Sequence, residues 1–265
     1  MLIIRREFGI IFREINRGAV IRPGTEDIQL EKKKLGGRIL FNIILFGFIG
    51  QVAWAVENNF FNTFLFSFGG TTKDISTMVA ASAVVAVVTT FVMGTLSDKL
   101  GRRKVFICAG YVAWGITVMA FAFISRENLG KLIGADPSSA AALSATVTTV
   151  IVMDCIMTFM GSTSNDSAFN AWITDVTVPS NRAKTEGLLA ILPVLALVIV
   201  TGVFGFIAGD DAQASDYSTC FLGLGILVII CGIIGIFTIK DTGSGQKSDG
   251  NFFADLIYGF RPSVI

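Results

Sequence analysis

The sequence predicts an all-α integral membrane protein with six transmembrane helices. Of its 265 residues, 52% are hydrophobic and only 15% are charged, well below the ~25% of a typical soluble domain. Six apolar runs are each long enough to cross a bilayer, which takes about 20 helical residues. All 21 Lys and Arg residues lie outside these runs, where charge is tolerated. The runs cover residues 39–66, 75–97, 105–125, 143–173, 187–209 and 219–239.

The composition also excludes several functions. A net charge of +1 is too small to attract nucleic acid. The sequence contains no His, which removes His-assisted nucleophiles and imidazole metal sites. Its four cysteines lack the spacing of a metal site or a disulfide framework. We therefore expect neither an enzyme nor a bound cofactor or metal.

The basic residues predict the orientation. Of the 21 Lys and Arg residues, 18 lie before the first run, in the second and fourth connections, or after the last run. Cytoplasmic segments carry the excess of positive charge. Both termini are therefore predicted to lie in the cytoplasm, in a protein of the cell membrane that contacts lipid.

The segment before the first run, residues 1–38, is predicted to be a cytoplasmic extension. Its apolar residues recur at helical spacing opposite basic and acidic ones, which is typical of a helix that lies on the membrane surface. A frayed extension without a function is the alternative. The apolar positions are Ile4, Phe8, Ile11, Phe12 and Ile15.

The first run contains more polar side chains than helix packing requires. One buried Asn can join two helices by hydrogen bonds, but six polar or indole side chains fall within twelve residues here. We interpret them as a path for a solute or a cation, with interhelical hydrogen bonding as the alternative. The six are Gln51, Trp54, Glu57, Asn58, Asn59 and Asn62.

The connection between the second and third runs reads GTLSDKLGRRK over residues 94–104. Gly94 would let another helix approach closely, and Gly101 would permit a turn with positive φ. Asp98 would sit at the negative end of a helix dipole, so it needs a cation or the N-terminus of another helix beside it. Arg102 is the expected partner of Asp98, with Arg103 beside it.

The fourth run places Asp154, Thr158 and Asn165 on one helical face. Residues 162–167 then put polar groups on every face, which lipid does not tolerate. This stretch, which includes Asp166, must be enclosed by other helices or line a wet cavity. The alternative is a helix end that emerges into the cytoplasm.

The fifth and sixth runs carry glycines that we expect to form close-packing surfaces, and Pro193 is expected to kink the fifth. These glycines are Gly202, Gly205, Gly209, Gly225, Gly232 and Gly235. Residues 39–239 thus form a six-helix bundle. Residues 240–265 are predicted to be a cytoplasmic linker and the start of a second half.

The 94–104 loop resembles, position by position, the G-x-L-[A/S]-D-[K/R]-x-G-R-[R/K]-[R/K] loop of the major facilitator superfamily. This resemblance implies a transporter of twelve helices, of which these six form one half as a three-plus-three inverted repeat. It also implies a cytoplasmic gate or latch between the halves. Its residues here would be Gly94, Asp98, Gly101, Arg102, Arg103 and Arg182.

Residues 166–186 are similar to the fourth helix and following loop of the glycoside-pentoside-hexuronide:cation symporters, the branch typified by melibiose permease. The resemblance implies that Asp166 binds sugar, with Asn170 beside it. The branch also places cation-binding carboxylates on its second helix, whereas residues 83–93 contain no acid here.

Together these features predict the N-terminal half of a secondary transporter that moves a small hydrophilic solute, most readily a sugar or glycoside. H⁺ or Na⁺ would be the coupling ion, carried by Glu57 or Asp154, and Trp54, Asn58 and Asn62 would join Asp166 and Asn170 at the solute. We expect the half to require a second six-helix half or another copy. The alternative is a truncated or non-transporting membrane subunit.

Overall fold

The computed structural model describes residues 35–208 and 214–241, without the side chains of 208 and 214–216. Every regular element in these two ranges is helical. The α-helices are α1 (Gly37–Ser67), α2 (Thr72–Leu100), α3 (Arg103–Ala120), α4 (Arg126–Ile133), α5 (Ala140–Gly161), α6 (Asn170–Val176), α7 (Pro179–Ala208) and α8 (Ala214–Thr238). A 3₁₀ turn, Phe121–Phe123, follows α3, and a π-helix, Ser162–Phe169, joins α5 to α6.

Six segments of the described chain are long and apolar enough to cross a membrane, which confirms the predicted fold class. Each of their helices begins two to eight residues before the predicted run. The largest difference lies between the fourth and fifth runs, where only Thr177 and Val178 separate α6 from α7. The charged stretch before the fifth run is therefore helical, because its residues continue the turns of α7 beyond the apolar part.

Local sequence signals explain several helix ends. The side chain of Thr71 accepts from the backbone N–H of Asp74, and Asp74 accepts in return from Thr71, which caps α2. At the other end Gly101 adopts φ +62°, the turn predicted for it. The side chains of Ser125 and Ser139 cap α4 and α5 by accepting from the backbone N–H groups of Asn128 and Ala142. The short helix α4 was not predicted, because its eight residues are too polar to show an apolar run.

The most extensive helix packing joins α3 to α8. A Cβ atom on Gly115 would lie 2.6 Å from the carbonyl oxygen of Gly225, and one on Gly232 would lie 2.9 Å from that of Cys108. Both distances are too short for a side chain. The prediction of close packing is therefore correct for the glycines of α8.

The same prediction is wrong for the described glycines of α7. Nothing lies within 4 Å of a Cβ built on Gly202 or Gly205. These residues lie on the outer face of α7, together with exposed apolar side chains such as Val198 and Phe206. Small residues mark a close contact only where a partner helix is present, and here the described chain supplies none.

An aromatic cluster holds the end of the bundle opposite the α2–α3 loop. The rings of Phe61 and Phe121 are 4.4 Å apart, and those of Phe64 and Phe221 are 5.0 Å apart. All four side chains are buried. They join α1 to α8 and to the 3₁₀ turn after α3.

A second set of contacts ties the beginning of α1 to the end of α8. The guanidinium of Arg38 donates to the carbonyl oxygens of Thr238 at 2.6 Å and Phe237 at 2.5 Å. The amide of Asn42 also donates to Thr238, at 2.9 Å. A cation at a helix C-terminus is favoured by the helix dipole.

Three sequence predictions fall outside the described residues. They are the membrane-surface helix in residues 1–34, part of the fifth connection at 209–213, and the linker and following segment in 242–265. Pro193 lies inside α7, which continues through it to Ala208.

Candidate functional site

A cavity of about 420 Å³ lies among α1, α2, α5 and the π-helix. Its α2 side is formed by Val79, Ala83 and Ala86 together with one hydroxyl, that of Ser82. The remaining lining residues are polar or carry an indole: Gln51, Trp54, Glu57, Asn58, Thr158 and Asp166. The structure thus brings together residues that the sequence analysis had singled out on the first and fourth runs.

Three carboxyl groups lie in or beside this cavity. Glu57 and Asp166 line it, and both Asp154 and Asp166 lie within electrostatic range of Glu57. Asp154 is only 2% exposed. No Lys or Arg is among the lining residues. The cavity is therefore acidic and has no basic side chain of its own to balance that charge.

Two of the carboxyl groups accept hydrogen bonds from hydroxyls of their own surroundings. Thr158 Oγ1 donates to Glu57 Oε1 at 3.2 Å, and Ser162 Oγ donates to Asp166 Oδ2 at 3.0 Å. These bonds orient the carboxylates toward the cavity without neutralising them, because a hydroxyl contributes a dipole and no net charge.

The π-helix encloses the polar run of the fourth segment. Ser162, Thr163, Ser164, Asn165 and Ser167 are all buried, which confirms that other helices surround this stretch. The alternative, a helix end that emerges into water, is excluded by that burial. Two of the hydroxyls bond to backbone carbonyls four residues earlier, and such bonds often accompany a bend in a helix.

Tyr111 of α3 positions the π-helix against α1. Its hydroxyl lies 2.7 Å from the carbonyl oxygen of Phe46 and 3.1 Å from Oδ1 of Asn165. A Cβ on Gly50 would lie 2.7 Å from that hydroxyl. The close approach of α1 to the π-helix therefore needs glycine at this position.

The indole of Trp54 forms an aromatic wall of the cavity. It lies 5.1 Å from the ring of Trp114, and a Cβ on Gly161 would lie 2.9 Å from it. The N–H of Trp54 faces the carboxyl group of Asp166. The ring is thus held firmly, and its polar edge lies beside an acid that lines the same cavity.

Two residues predicted to bind solute do not line this cavity. Asn62 lies one turn beyond Asn58 on α1. Asn170 is exposed, and its amide donates to the backbone carbonyl of Asp166 at 3.0 Å. Asn58 does line the cavity, although its amide N–H₂ is bonded to the carbonyl of Trp54.

At the α2–α3 loop, the arginine that pairs with Asp98 is not the one expected from the sequence. Arg103, which is buried, pairs with Asp98 and with Asp175 of α6, the latter at 3.2 Å. Its Nη1 also donates to Ser97 Oγ at 2.6 Å. Arg102 is exposed instead and precedes the first turn of α3.

The other two residues expected at this loop have local roles. A Cβ on Gly94 would lie 3.6 Å from Ser167 Oγ, so α2 passes the π-helix at ordinary van der Waals distance. Arg182 of α7 donates to Thr174 Oγ1 at 3.2 Å and lies 3.7 Å from Glu186. Both contacts stay within α6 and α7.

Three site residues were missed by sequence reasoning. Ser82 was the one hydroxyl in a run of small apolar residues, Tyr111 was not singled out within the third run, and Asp175 was not assigned to a basic partner. Ser82 could have been found, because it lies one helical turn before Ala86 on the same face.

Comparison with known proteins gives one match. The family model of the Major Facilitator Superfamily matches residues 40–257, which is most of the chain. No curated protein and no solved structure gives a significant match.

Proposed function

Since the chain belongs to the major facilitator superfamily, whose members are membrane transporters, we propose that it moves a small hydrophilic solute, a sugar or glycoside, by cation-coupled alternating access. The observation that carries this proposal is the cavity that Asp166 and Trp54 line together. A carboxylate can accept bonds from sugar hydroxyls, and an indole face can contact the apolar face of a sugar ring.

The size and lining of the cavity support a small polar solute. Its volume of about 420 Å³ falls in the range of small-molecule sites. The amide groups of Gln51 and Asn58 add both donors and acceptors to the carboxylates. A wholly apolar molecule would leave these groups without partners, which is unfavourable away from water.

Coupling to a cation is proposed from the charge of the cavity. Glu57 and Asp154 lie deeper in the bundle than a surface acid, on α1 and α5, and no basic side chain lines the space beside them. A positive ion that enters with the solute would balance that charge. Alternating access would then link the movement of the solute to an ion gradient.

We also propose that a second six-helix body, or another copy of this chain, completes the transporter. The outer faces of α2 and α7 expose many large apolar side chains, among them Val84, Val87, Val194 and Val198. The cavity lies behind α2, and its lining residue Asn58 is exposed. A partner that packs against α2 and covers Asn58 would close the open side of the cavity.

At the α2–α3 loop, we propose a cytoplasmic latch centred on Arg103. This residue joins Asp98 of the loop to Asp175 of α6, so a change at the loop is transmitted to the fourth membrane segment. Gly101 provides the turn, while Arg102 remains exposed and can contact a second half. Gly94 and Arg182 flank this latch.

The proposed orientation places the α2–α3 loop in the cytoplasm and α4 outside. A Cys introduced at Leu132 of α4, which is 80% exposed, is expected to react with a membrane-impermeant thiol reagent in intact cells. A Cys introduced at Leu100, also exposed, is expected to react only after the membrane is opened. Labelling of the unsubstituted protein measures the background from its native cysteines. Labelling of the Cys at Leu100 in intact cells, with none at Leu132, would contradict the proposed orientation.

Counterflow in proteoliposomes tests the proposed function. We expect saturable exchange of a labelled sugar or glycoside in vesicles whose transporter contains two six-helix bodies. In vesicles that contain this chain only as a monomer, we expect no exchange. The oligomeric state is fixed before reconstitution by covalent cross-linking. An assembled transporter that exchanges no solute from a broad panel would favour a non-transporting membrane subunit instead.

A further inference from the structure

At the end of the bundle that carries the α2–α3 loop, we propose a binding site for one anionic phospholipid whose headgroup carries hydroxyl groups, as in phosphatidylglycerol. The site is a second cavity, of about 300 Å³, among the beginning of α1, the end of α6 and the residues that follow α8. It shares no lining residue with the cavity around Asp166. The lining residues that would contact the headgroup are Arg38, Asn42, Lys240 and Asp241.

The cavity lies where the apolar spans end. Arg38 directly precedes the first apolar run, 39–66, and Lys240 directly follows the sixth, 219–239. Asp241 accepts from the backbone N–H of Lys104 at 2.8 Å, in the first turn after the α2–α3 loop. In the proposed orientation this is the cytoplasmic end, so the cavity lies at the depth of the headgroups of the inner leaflet.

Arg38 and Lys240 give the cavity an excess of positive charge. The only acid among the described lining residues, Asp241, lies at the N-terminus of α3, where a negative charge is favoured. The guanidinium of Arg38 bonds to the carbonyl oxygens of Phe237 and Thr238, which carry no charge. In the two described ranges, no acid forms an ion pair with Arg38 or Lys240. Basic pockets of this kind, between membrane helices on the cytoplasmic side, bind anionic headgroups.

A buried acceptor in the cavity indicates that the ligand also carries a hydrogen-bond donor. Asn42 is only 1% exposed. Its Nδ2 donates to the carbonyl oxygen of Thr238 at 2.9 Å, which fixes the orientation of the amide. Its Oδ1 is left as an acceptor, and within residues 35–208 and 214–241 no donor bonds to it. Since a buried acceptor ordinarily has a partner, the ligand that fits this cavity combines a negative charge with a donor.

A hydroxyl group fits Asn42 better than the ammonium of phosphatidylethanolamine does. A neutral amide does not offset the cost of removing a positive charge from water, and the cavity already carries an excess of positive charge. A choline headgroup has no N–H or O–H to donate. The hydroxyls of a glycerol headgroup can donate to Asn42 and Asp241 while its phosphate accepts from Arg38 and Lys240.

Exposed aromatic rings beside the cavity favour a lipid over a soluble phosphate ester. Phe41 lies three residues after Arg38, on the same side of α1 and closer to the middle of the membrane. It is 48% exposed, and Phe237, directly before Thr238, is 74% exposed. Both rings would contact the acyl chains of a lipid whose phosphate lies at Arg38. A soluble ester would gain nothing from them.

Native mass spectrometry of the purified full chain, stripped of lipid in detergent, tests the site. We expect one phosphatidylglycerol molecule to bind in a saturable way, and phosphatidylethanolamine and phosphatidylcholine to bind at least about tenfold more weakly. Phosphatidylethanol has the same charge as phosphatidylglycerol but no hydroxyl group. It should bind about fivefold more weakly, because Asn42 Oδ1 then receives no hydrogen bond.

Matched variants test the charge of the site. Lys240→Gln should weaken the binding of phosphatidylglycerol by about tenfold, because it removes a charged donor to the phosphate. Lys184→Gln is the control, since Lys184 is exposed on α7 at the same proposed side of the membrane but does not line the cavity. Its binding should not change. Both side chains are exposed, and circular-dichroism melting curves check that both variants fold. The comparison among the lipids needs no variant.

Four results would overturn the lipid site. They are no binding of phosphatidylglycerol, equal binding of phosphatidylglycerol and phosphatidylethanolamine, equal affinity in Lys240→Gln and Lys184→Gln, or displacement of the lipid by millimolar glycerol 3-phosphate. The last result would assign the cavity to a soluble phosphate ester. Equal binding of phosphatidylethanol and phosphatidylglycerol would overturn the contact with Asn42. These measurements use no solute, so the lipid site and the proposed function can fail independently.

Discussion

Replacing Asp166 by Asn is expected to weaken the binding of the transported solute by about 10- to 100-fold, or to abolish it. Hydrogen bonds to a charged group contribute about 1.5–3 kcal/mol, and each 1.4 kcal/mol is about a factor of ten in affinity. The amide keeps the shape of the carboxyl and can still accept from Ser162, which bonds to Oδ2 in the native protein. The fold should therefore survive the change.

Equilibrium dialysis with a labelled sugar measures this effect on the purified protein. Asp136→Asn is the matched control, because Asp136 lies in the exposed connection before α5, where its carboxyl accepts from the hydroxyl and from the backbone N–H of Ser138. The bond from the hydroxyl, and then that from the N–H, lowers the pKa of Asp136 from its ordinary value, so the control also removes a charge that is present at neutral pH. Native affinity in Asp166→Asn would contradict the role assigned to Asp166.

Replacing Arg103 by Ala is expected to lower the free energy of unfolding by about 3 kcal/mol. Removing one partner of a buried ion pair costs about 3–5 kcal/mol. The lower end applies here, because the side chain of Asp98 is 55% exposed and its interaction is screened by water. Most of the loss comes from Asp175, which is 18% exposed and would keep its charge without a partner.

Arg102→Ala is the control for that prediction. Arg102 has the same chemistry and the adjacent position, but it is exposed, so its loss should change stability by less than about 0.5 kcal/mol. Unfolding in a mild detergent, followed by circular dichroism, compares the two variants. If both variants lost the same free energy of unfolding, the ion pairs of Arg103 would contribute no more to stability than any positive charge in this loop.

The membrane spans could be predicted because the rule behind them is simple. An apolar run of sufficient length has few alternatives to a membrane helix, and six such runs gave six spans. The helix boundaries were predicted less accurately than the spans, since polar residues such as Glu186 belong to a helix that extends beyond its apolar part. The sequence also predicted that residues 162–167 are enclosed by other helices or line a wet cavity, because lipid does not tolerate polar groups on every face of a helix.

The details of the site depended on geometry that no local pattern contains. The choice between Arg102 and Arg103 depends on the residue at which α3 begins. The π-helix changes the direction in which Asp166 and Asn170 point, and its register is set by contacts such as Tyr111 with Asn165. Ser82 contributes to the site only because α2 packs against α5 there.

Solute protection of a single introduced cysteine tests the central claim, that the cavity of α1, α2, α5 and the π-helix holds the transported solute. Asn58 lines this cavity and is exposed to reagents, so Asn58→Cys should be alkylated readily in isolated membranes. We expect one sugar or glycoside of a panel to slow that alkylation in a saturable way, and to leave Leu132→Cys on α4 unaffected. Alkylation of Asn58→Cys that no solute slows, in a protein that still exchanges solute, would contradict the account.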